Sequence, residues 1–275
     1  MKRVLTLQDF SCFGRCSLTI AIPIISAMGV ECVAIPSAIL STHTGNLGEV
    51  VVIDTEIYIE PILDHLERLD IYFDVIYIGY LGSSLLISIA KRLIKTFKKE
   101  NTIVLLDPVM GDNGRLYSRF SEEYVNEIKS LVDLSDLVVP NLTEASLLCG
   151  VNYIGEKVTF RFLEEIFKEL NNKYTSRFVI TGICLDEDYI GAASYGRLKD
   201  DRILHTTKRN TSHYHGTGDM FAGVMAGALA KKLSLDEAVL KGVKFILDVI
   251  EETVAADTDE RYGLLFEGCL GSLTE

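Results

Sequence analysis

The feature that most constrains how this chain can fold is a repeated alternation of short, continuous apolar runs with longer segments of helical periodicity. Continuous apolar runs are typical of strands that are buried on both faces, as in parallel sheets. Helices between such strands cover the two faces of the sheet. The alternation therefore predicts an α/β fold, with a central, mostly parallel sheet and helices on both of its faces.

The apolar runs predict strands at Val4 to Leu7, Cys32 to Pro36, Asp74 to Ile78, Thr102 to Leu106, Leu137 to Val139 and Phe178 to Ile180. The periodic segments predict helices at Ser17 to Met28, Glu56 to Leu69, Ser84 to Phe97, Asp219 to Lys231 and Leu235 to Val254. Between Tyr189 and Thr207, two strands that turn around Gly196-Arg197-Leu198-Lys199 predict a small antiparallel edge. Because the sequence contains no repeat or linker, we expect a single domain over residues 1–275.

The charge balance argues against two classes of partner. Lys and Arg number 27 and Asp and Glu 39, which gives a formal net charge of −12. Duplex nucleic acid and anionic membrane surfaces both attract basic proteins, so we expect neither as a partner. No run of about 18 apolar residues predicts a membrane span, and Lys2 and Arg3 precede an apolar run too short for a signal peptide. Because the six cysteines are too sparse for a disulfide framework, the sequence indicates a cytoplasmic protein.

Several common nucleotide-binding motifs are absent from the sequence. There is no G-x-x-x-x-G-K-[ST], and no G-x-G-x-x-G follows the first predicted strand. The protein-kinase motifs H-R-D and D-F-G are also missing. A nucleotide would therefore have to be bound without a P-loop or a dinucleotide-binding turn.

The strongest local signal is a glycine-rich segment, from His215 to Asp219, that runs into an apolar helix. N–H groups in the first turn of a helix have no intrahelical partners, and glycines let an anion approach them closely. Gly216, Thr217 and Gly218 therefore form a candidate anion hole for a phosphate. Asp219 would lie beside the anion, where its carboxylate could take a proton from an attacking hydroxyl. The alternative is an ordinary Gly/Asp start of a buried helix.

A second signal follows the predicted strand that ends at Leu106. Asp107 opens the segment Asp-Pro-Val-Met-Gly-Asp-Asn-Gly and lies at the carboxyl end of a strand, where open α/β sheets bind ligands. The glycines after it could let the segment move as a flap over phosphates. The alternative is an ordinary strand exit followed by an Asp-Asn-Gly turn.

A third signal is Pro-Asn-Leu-Thr-Glu, again at the end of a predicted strand. Asn141 offers an amide and Glu144 a carboxylate on the same side of a helix that begins there. Such a pair suits a hydrated Mg²⁺ that has few protein ligands. Helix capping explains the pair equally well, with Asn141 as the N-cap and Glu144 at the third helical position. Both interpretations can hold together.

We expect the three segments to lie at successive strand ends of one sheet. Phosphoryl transfer requires positioned phosphates, a metal ion that screens their charge, and a base. The three segments together offer each of these parts. The sequence therefore favours a phosphoryl-transfer site that is built without a P-loop.

At these residues the chain resembles the ribokinase-like superfamily, and within it the vitamin B6 kinases. The motifs D-P-V-M-G-D, V-P-N-x-x-E and G-T-G-D occur in the family's order and spacing. The segments from Thr6 to Thr19 and from Ser41 to Gly45 also look like that group. G-T-G-D marks only the superfamily, whereas H-T-G together with D-P-V-M-G-D is more specific. The resemblance covers essentially the whole chain.

The resemblance implies a ribokinase-like fold and transfer of phosphate from ATP to the 5′-hydroxymethyl group of a pyridine, with Mg²⁺. By motif position, Asp219 would be the base, and Gly216, Thr217 and Gly218 the anion hole. The residues expected at ATP and its metal ion are Asp107, Asn141, Glu144 and Thr181, with Asp112 and Tyr117 on the flap. Those expected at the pyridine ring are Asp9, Thr44 and Tyr80. A homodimer and a monovalent-cation requirement are further implications.

Two positions differ from many B6 kinases. Asp9 stands where many of them carry Ser, and the related hydroxymethylpyrimidine kinases place Asp near there. Val139 stands where some B6 kinases have a Thr that ligates the monovalent cation. We therefore retain a hydroxymethylpyrimidine (phosphate) kinase as the nearest alternative. A non-catalytic sensor of nucleotide or vitamer is a third, although such a sensor would have no need for the carboxylate of Asp219.

Overall fold

The computed structural model describes residues 1–155, 157–198, 201–209 and 214–274. The sequence-predicted turn around residues 196–199 is therefore described only in part, since Lys199 lies outside these ranges. The strands are β1 (Arg3–Ser11), β2 (Glu31–Leu40), β3 (Val52–Asp54), β4 (Val75–Ile78), β5 (Ile103–Leu106), β6 (Gly111–Asp112), β7 (Arg115–Leu116), β8 (Leu137–Val138), β9 (Arg177–Phe178), β10 (Ile180–Ile183), β11 (Tyr189–Tyr195) and β12 (Arg202–Lys208).

The helices connect these strands. They are α1 (Leu18–Ala27), α2 (Glu56–Arg68), α3 (Ser84–Phe97), α4 (Glu122–Val132), α5 (Leu142–Cys149), α6 (Phe160–Lys173), α7 (Thr217–Ala230) and α8 (Leu235–Ala255). Two 3₁₀ turns, Glu260–Tyr262 and Glu267–Leu273, follow α8. Within the described residues, no helix is both long and apolar enough to cross a bilayer.

The central sheet has the strand order β3-β2-β1-β4-β5-β8-β9. All of its pairings are parallel except that of β3 with β2, which is antiparallel. Buried side chains of α2 to α6 pack on one face of the sheet, and those of α1, α7 and α8 pack on the other. The structure thus confirms the predicted sheet and its helical cover on both faces.

The contact between α1 and α7 places the start of α7 at the edge of the sheet. α7 is rich in small residues and is almost fully buried. A Cβ on Gly223 would lie 3.5 Å from Cγ2 of Ile24 in α1, so the glycine allows the two helix backbones to approach closely. The close approach brings the segment before α7 beside the carboxyl ends of the strands.

Three predicted features differ from the structure. The strand pair β11 and β12 forms a separate three-stranded sheet with β10 and is not an edge of the central sheet. The single strand predicted from Phe178 to Ile180 is two strands, because the chain leaves the central sheet after Phe178 and enters the small sheet at Ile180. The antiparallel edge of the central sheet is β3, which the sequence analysis missed because it contains only three residues.

Candidate active site

The carboxyl ends of four neighbouring strands bring polar side chains to one edge of the sheet. Asp9 lies near the end of β1, and Tyr80 follows β4. Asp107 follows β5, and Asn141 follows β8, which pairs with β5. The parallel register of the sheet therefore brings these residues together, although they are tens of residues apart in the sequence.

The predicted anion hole is a sharp turn at the start of α7. Gly216 is the N-cap residue with a φ of 86°, and a Cβ there would lie 2.7 Å from the carbonyl oxygen of Arg15. Gly218 is exposed, and a Cβ on it would lie 4.0 Å from Oδ2 of Asp107. The Thr217 hydroxyl donates to the Tyr214 carbonyl at 3.2 Å. The turn therefore presents accessible backbone beside Asp107.

This turn does not lie at a strand end of the central sheet, in contrast to the prediction. The strand before it is β12, which belongs to the three-stranded sheet. The packing of α7 against α1, rather than a strand of the central sheet, brings the turn to Asp107 and Asp9.

The Asp219 carboxylate is half-buried in the first turn of α7. Its Oδ2 accepts a hydrogen bond from the backbone N–H of Ser17 at 2.9 Å. Burial raises the pKa of Asp219 to about 6, and the negative charge of Asp9 contributes to the increase, whereas the bond from Ser17 opposes it. The group is therefore ionised at neutral pH and still basic enough to accept a proton.

Two further carboxylates share the site. Asp107 and Glu144 are both buried. Burial raises the pKa of Glu144 to about 8. The pKa of Asp107 is raised well above its usual value by burial and by the charges of Glu144 and Asp219. Burial and the charges of Glu144, Asp112, Asp107 and Asp219 raise the pKa of Tyr117. The pocket is thus an anionic one that a cation would stabilise.

The capping interpretation of Asn141 and Glu144 is confirmed. Asn141 Oδ1 accepts from the Glu144 N–H at 2.9 Å, and Glu144 Oε2 accepts from the Asn141 N–H at 2.9 Å. The same side chains also hold the flap: Glu144 Oε1 accepts from the Met110 N–H at 3.0 Å, and Asn141 Nδ2 donates to the Gly111 carbonyl at 2.8 Å. The backbone N–H groups of Asn141, Met110 and Gly111 all lower the pKa of the Glu144 carboxyl, so only part of its acceptor capacity remains for a metal ion or its water.

The flap is a short β-hairpin made of β6 and β7. Asn113 and Gly114 form its turn with φ values of 51° and 74°, the positive values that tight hairpin turns require. The Gly114 N–H donates to the Thr143 hydroxyl at 2.9 Å. The exposed carboxylate of Asp112 accepts from the N–H of Asn113 at 2.8 Å. Asp112 lies in β6 and Tyr117 directly follows β7, so both belong to the predicted flap.

Asp9 is a further carboxylate near Asp219, and Tyr80 lies near Asp9. Asp9 is buried, and burial raises its pKa although the nearby hydroxyls of Ser17 and Ser11 lower it; the Ser11 hydroxyl donates to Asp9 Oδ2 at 3.1 Å. Burial and the charge of Asp9 raise the pKa of Tyr80, whereas the charge of Arg119 lowers it. The Tyr80 ring therefore lies close enough to both charged groups to be influenced by them.

Thr44 lies in an exposed loop. Its neighbours His43 and Gly45 pack against His215, the residue before the anion hole. His43 Nδ1 accepts from the Gly45 N–H at 2.9 Å, so Nε2 carries the proton that is donated to the Arg261 carbonyl at 2.7 Å. The rings of His43 and His215 are 5.0 Å apart. His43 thus links the Thr44 loop to the Arg261 carbonyl, and Gly45, next to Thr44, packs against the His215 ring.

Thr181 lies within β10 instead of beyond a strand end. Its backbone forms a parallel bridge with Asn141, and its N–H donates to the Pro140 carbonyl at 2.9 Å. This bridge keeps Thr181 beside the Asn141 and Glu144 pair. Gly182, the next residue, is exposed.

Three residues near this site were not predicted from the sequence, namely Ser17, Ser11 and Arg119. The Ser11 hydroxyl donates to Asp9 Oδ2 at 3.1 Å, the Ser17 hydroxyl lies near the same carboxyl, and the charge of Arg119 lowers the pKa of Tyr80. Neither serine belongs to a glycine-rich or acidic motif, so no local pattern points to them. Arg119 could have been found as a basic residue close to the predicted flap.

The donor set suits a metal ion of the magnesium class. Asp107 and Glu144 supply carboxylate oxygens, which Mg²⁺ prefers, and their raised pKa values show that a positive charge would relieve their mutual repulsion. Among the described residues, no group of three or more His, Cys, Asp or Glu side chains is arranged to hold a metal ion. A metal ion here would thus depend mainly on water and phosphate oxygens.

Comparison with known proteins identifies relatives of the same size. The family model described as phosphomethylpyrimidine kinase matches residues 21–262. The pyridoxal kinase of Dictyostelium discoideum is 24% identical over 271 residues, which cover 91% of this chain and 86% of that protein. The crystal structure of pyridoxal kinase from Lactobacillus plantarum superimposes with a TM-score of 0.90 at 31% identity and covers 99% of this chain and 96% of that one.

A protein of Bacteroides thetaiotaomicron, provisionally named a phosphomethylpyrimidine kinase, superimposes with a TM-score of 0.93 at 35% identity. The match covers 99% of this chain and 93% of that one. A second crystal form of that protein contains pyridoxal and superimposes with a TM-score of 0.91.

Proposed function

This chain belongs to the phosphomethylpyrimidine kinase family of ATP-dependent kinases with the ribokinase-like fold, and we propose that it phosphorylates the 5′-hydroxymethyl group of a B6 vitamer. The observation that carries the proposal is the Asp219 carboxylate, with a pKa of about 6, in the first turn of a helix whose N-terminal backbone is accessible. A base beside an anion hole is the arrangement that phosphoryl transfer to an alcohol requires.

In this proposal Asp219 takes the proton of the acceptor hydroxyl as the oxygen attacks the γ-phosphate of ATP. The bond from the hydroxyl oxygen to phosphorus forms, the bond from phosphorus to the bridging oxygen of ADP breaks, and ADP leaves. The N–H groups of Gly216, Thr217 and Gly218 face the charge that develops on the transferred group. Each preorganised donor of this kind can contribute about 10²–10³ in rate.

ATP would extend from the anion hole beneath the flap, with Asp112 and Tyr117 above it and Thr181 beside the phosphates. Asp107 and Glu144 would hold Mg²⁺, Glu144 mainly through water because both of its oxygens already accept backbone N–H groups. The bound ion would supply screening of the phosphate charges. Asn141 would act by holding Glu144 and the flap in place. Removal of Mg²⁺ by a chelator should abolish turnover.

Asp9 would lie at the acceptor ring, where its carboxyl can hydrogen-bond to a ring substituent. Thr44 and Tyr80 would flank the ring. The pyridoxal bound to the Bacteroides relative supports a pyridine as the acceptor.

A panel of acceptors tests the proposal. Pyridoxal, pyridoxamine, pyridoxine and hydroxymethylpyrimidine are each assayed with Mg-ATP for ADP release and for the phosphorylated product. We expect the highest kcat/KM with a B6 vitamer. A higher value with hydroxymethylpyrimidine would establish the alternative kinase, and binding of both ligands without turnover of any would establish the sensor.

We propose further that the protein is a cytoplasmic homodimer. None of the six cysteines forms a disulfide, as is usual for cytoplasmic proteins. The edge strand β3 and the start of α2 expose a group of large apolar side chains, which we call the β3 patch: Val51, Val52, Ile53, Ile57 and Tyr58. Apolar clusters of this kind mark contact surfaces, and a second copy of the chain is the partner that the resemblance implies.

A further inference from the structure

Ser17 has an unusual backbone conformation next to the candidate site. Its φ is 52° and its ψ is −121°, values that crowd the Cβ atom of any residue except glycine. The residue is also buried, at 5% exposure. Conformations of this kind cost free energy and persist where the surrounding structure holds them in place, often at functional sites.

Helix capping does not account for Ser17. The residue is the N-cap of α1, a position at which serine commonly accepts a hydrogen bond from the helix. The Ser17 side chain makes no such bond. Ser83 and Ser121, the N-caps of α3 and α4, accept from the N–H groups of Leu86 and Tyr124 in the usual way. The Ser17 hydroxyl therefore has no capping role.

Two carboxylates lie next to Ser17. The hydroxyl lies close enough to the Asp9 carboxyl to lower its pKa. The backbone N–H donates to Oδ2 of Asp219 at 2.9 Å. Each carboxylate belongs to a different element, Asp9 to β1 and Asp219 to α7. Ser17 is thus a bridge between them.

The chain before Ser17 is fixed by contacts on two sides. The Arg15 side chain donates to Glu267 Oε1 at 2.7 Å and to the Tyr262 carbonyl at 3.1 Å. The Arg15 carbonyl lies against Gly216, with no room for a Cβ between them. These contacts hold the segment in a bend that includes a positive φ at Arg15 as well as at Ser17.

We propose that Ser17 is a positioning residue that sets the relative placement of the two carboxylates, its N–H orienting Asp219 and its hydroxyl orienting Asp9. The inference rests on the proposed function, in which Asp219 is the base and Asp9 contacts the acceptor ring. In this proposal Ser17 adopts a costly backbone conformation because its N–H and its hydroxyl serve two different carboxylates, those of Asp219 and Asp9.

The hydroxyl is tested by kinetics on Ser17→Ala and Ser17→Gly, with Ser121→Ala as the matched control. Both Ser17 variants keep the N–H and lose the hydroxyl, so the KM for the preferred acceptor should rise about tenfold while the KM for ATP and kcat change less than about threefold. Ser17→Gly relieves the crowded conformation and should melt at or above the temperature of Ser17→Ala. Ser121→Ala should melt at a lower temperature than wild type with unchanged kinetics.

The N–H is tested separately, by hydrogen exchange at the Ser17 amide in wild type and in Asp219→Ala. Removal of the acceptor should speed exchange at Ser17 at least about tenfold, while the amide of Ile20, which donates to the Ser17 carbonyl, keeps its rate. This measurement needs no turnover, so it separates failure of the inference from failure of the proposed function. Three results would each overturn the proposal. They are an unchanged KM for the acceptor in both Ser17 variants, equal changes in the KM for the acceptor and the KM for ATP, and an unchanged hydrogen-exchange rate at the Ser17 amide.

Discussion

The imidazole ring of His215 fills the space beside Gly45, where a Cβ atom would lie 2.6 Å from Cδ2 of the ring. The glycine therefore allows the loop that carries Thr44 to pack directly against the anion hole. Gly45→Ala should displace either the loop or the ring and raise the KM for the acceptor severalfold, because Thr44 moves with the loop. The double variant Gly45→Ala/His215→Ala removes the obstructing ring and should recover part of this loss. Equal acceptor KM values in the single and double variants would contradict the packing argument.

Asp219→Asn removes the proposed base while keeping the size of the side chain. We expect kcat to fall by about 10²–10⁴, the contribution typical of a base, with little change in the affinity for Mg-ATP. The control is Asp248→Asn, which alters an exposed carboxylate on α8 and should leave kcat unchanged. Turnover by Asp219→Asn within about tenfold of wild type would show that another group accepts the proton.

The pH dependence of kcat follows from the same carboxylate. The pKa of Asp219 in the folded protein is about 6, well above its usual 3.8, and only the ionised form can accept the proton. Activity should therefore decline as the pH falls through about 6, with one proton controlling the acidic limb of the profile. A kcat that stays constant down to about pH 5 would be incompatible with this assignment.

Stability should change in the opposite direction. A carboxyl whose folded pKa is raised binds its proton more tightly in the folded state, so its ionised form reduces the free energy of unfolding above its ordinary pKa. Asp219→Asn should therefore melt at a higher temperature than wild type near pH 8, and the difference should shrink near pH 4. Thermal unfolding at the two pH values measures this effect. A lower melting temperature of the variant near pH 8 would count against a burial cost at Asp219.

Much of the fold could be predicted from the sequence, because strong periodicity dictates it. Helix α3 has the predicted limits, Ser84 to Phe97, since an N-cap serine precedes its apolar spacing and lysines follow it. The two-residue strands β6 and β7 could not be predicted, because pairing across a turn rather than composition defines them. Ser17 escaped prediction for a related reason: its importance depends on backbone dihedral angles that no local motif specifies.

The response to monovalent cations should be weaker than in B6 kinases that carry threonine before the Pro-Asn motif. Val139 is buried and apolar, so its side chain offers no oxygen to an ion. Val139→Thr has nearly the same shape and adds a hydroxyl. We expect the ratio of kcat/KM in potassium chloride to that in tetramethylammonium chloride to increase severalfold in the variant. An unchanged ratio would place any ion elsewhere.

The β3 patch should control the oligomeric state. Ile53→Asp and Ile57→Asp each introduce a charge among exposed apolar side chains, and burial of an unpaired charge disfavours association. We expect wild type to elute with twice the 30.6 kDa mass of one chain and the variants with the mass of one. Light scattering after size-exclusion chromatography measures both. Leu134→Asp, at an exposed position on a different surface, is the control; a wild type of single-chain mass would refute the assignment of the patch.

The hydrogen bond from His43 to the Arg261 carbonyl joins residues that are 218 positions apart in the chain. The Arg15 contact with Glu267 has a similar span, 252 positions. The segment after α8 therefore anchors both the loop around Thr44 and the segment before Ser17, so both depend on the chain beyond α8 being in place.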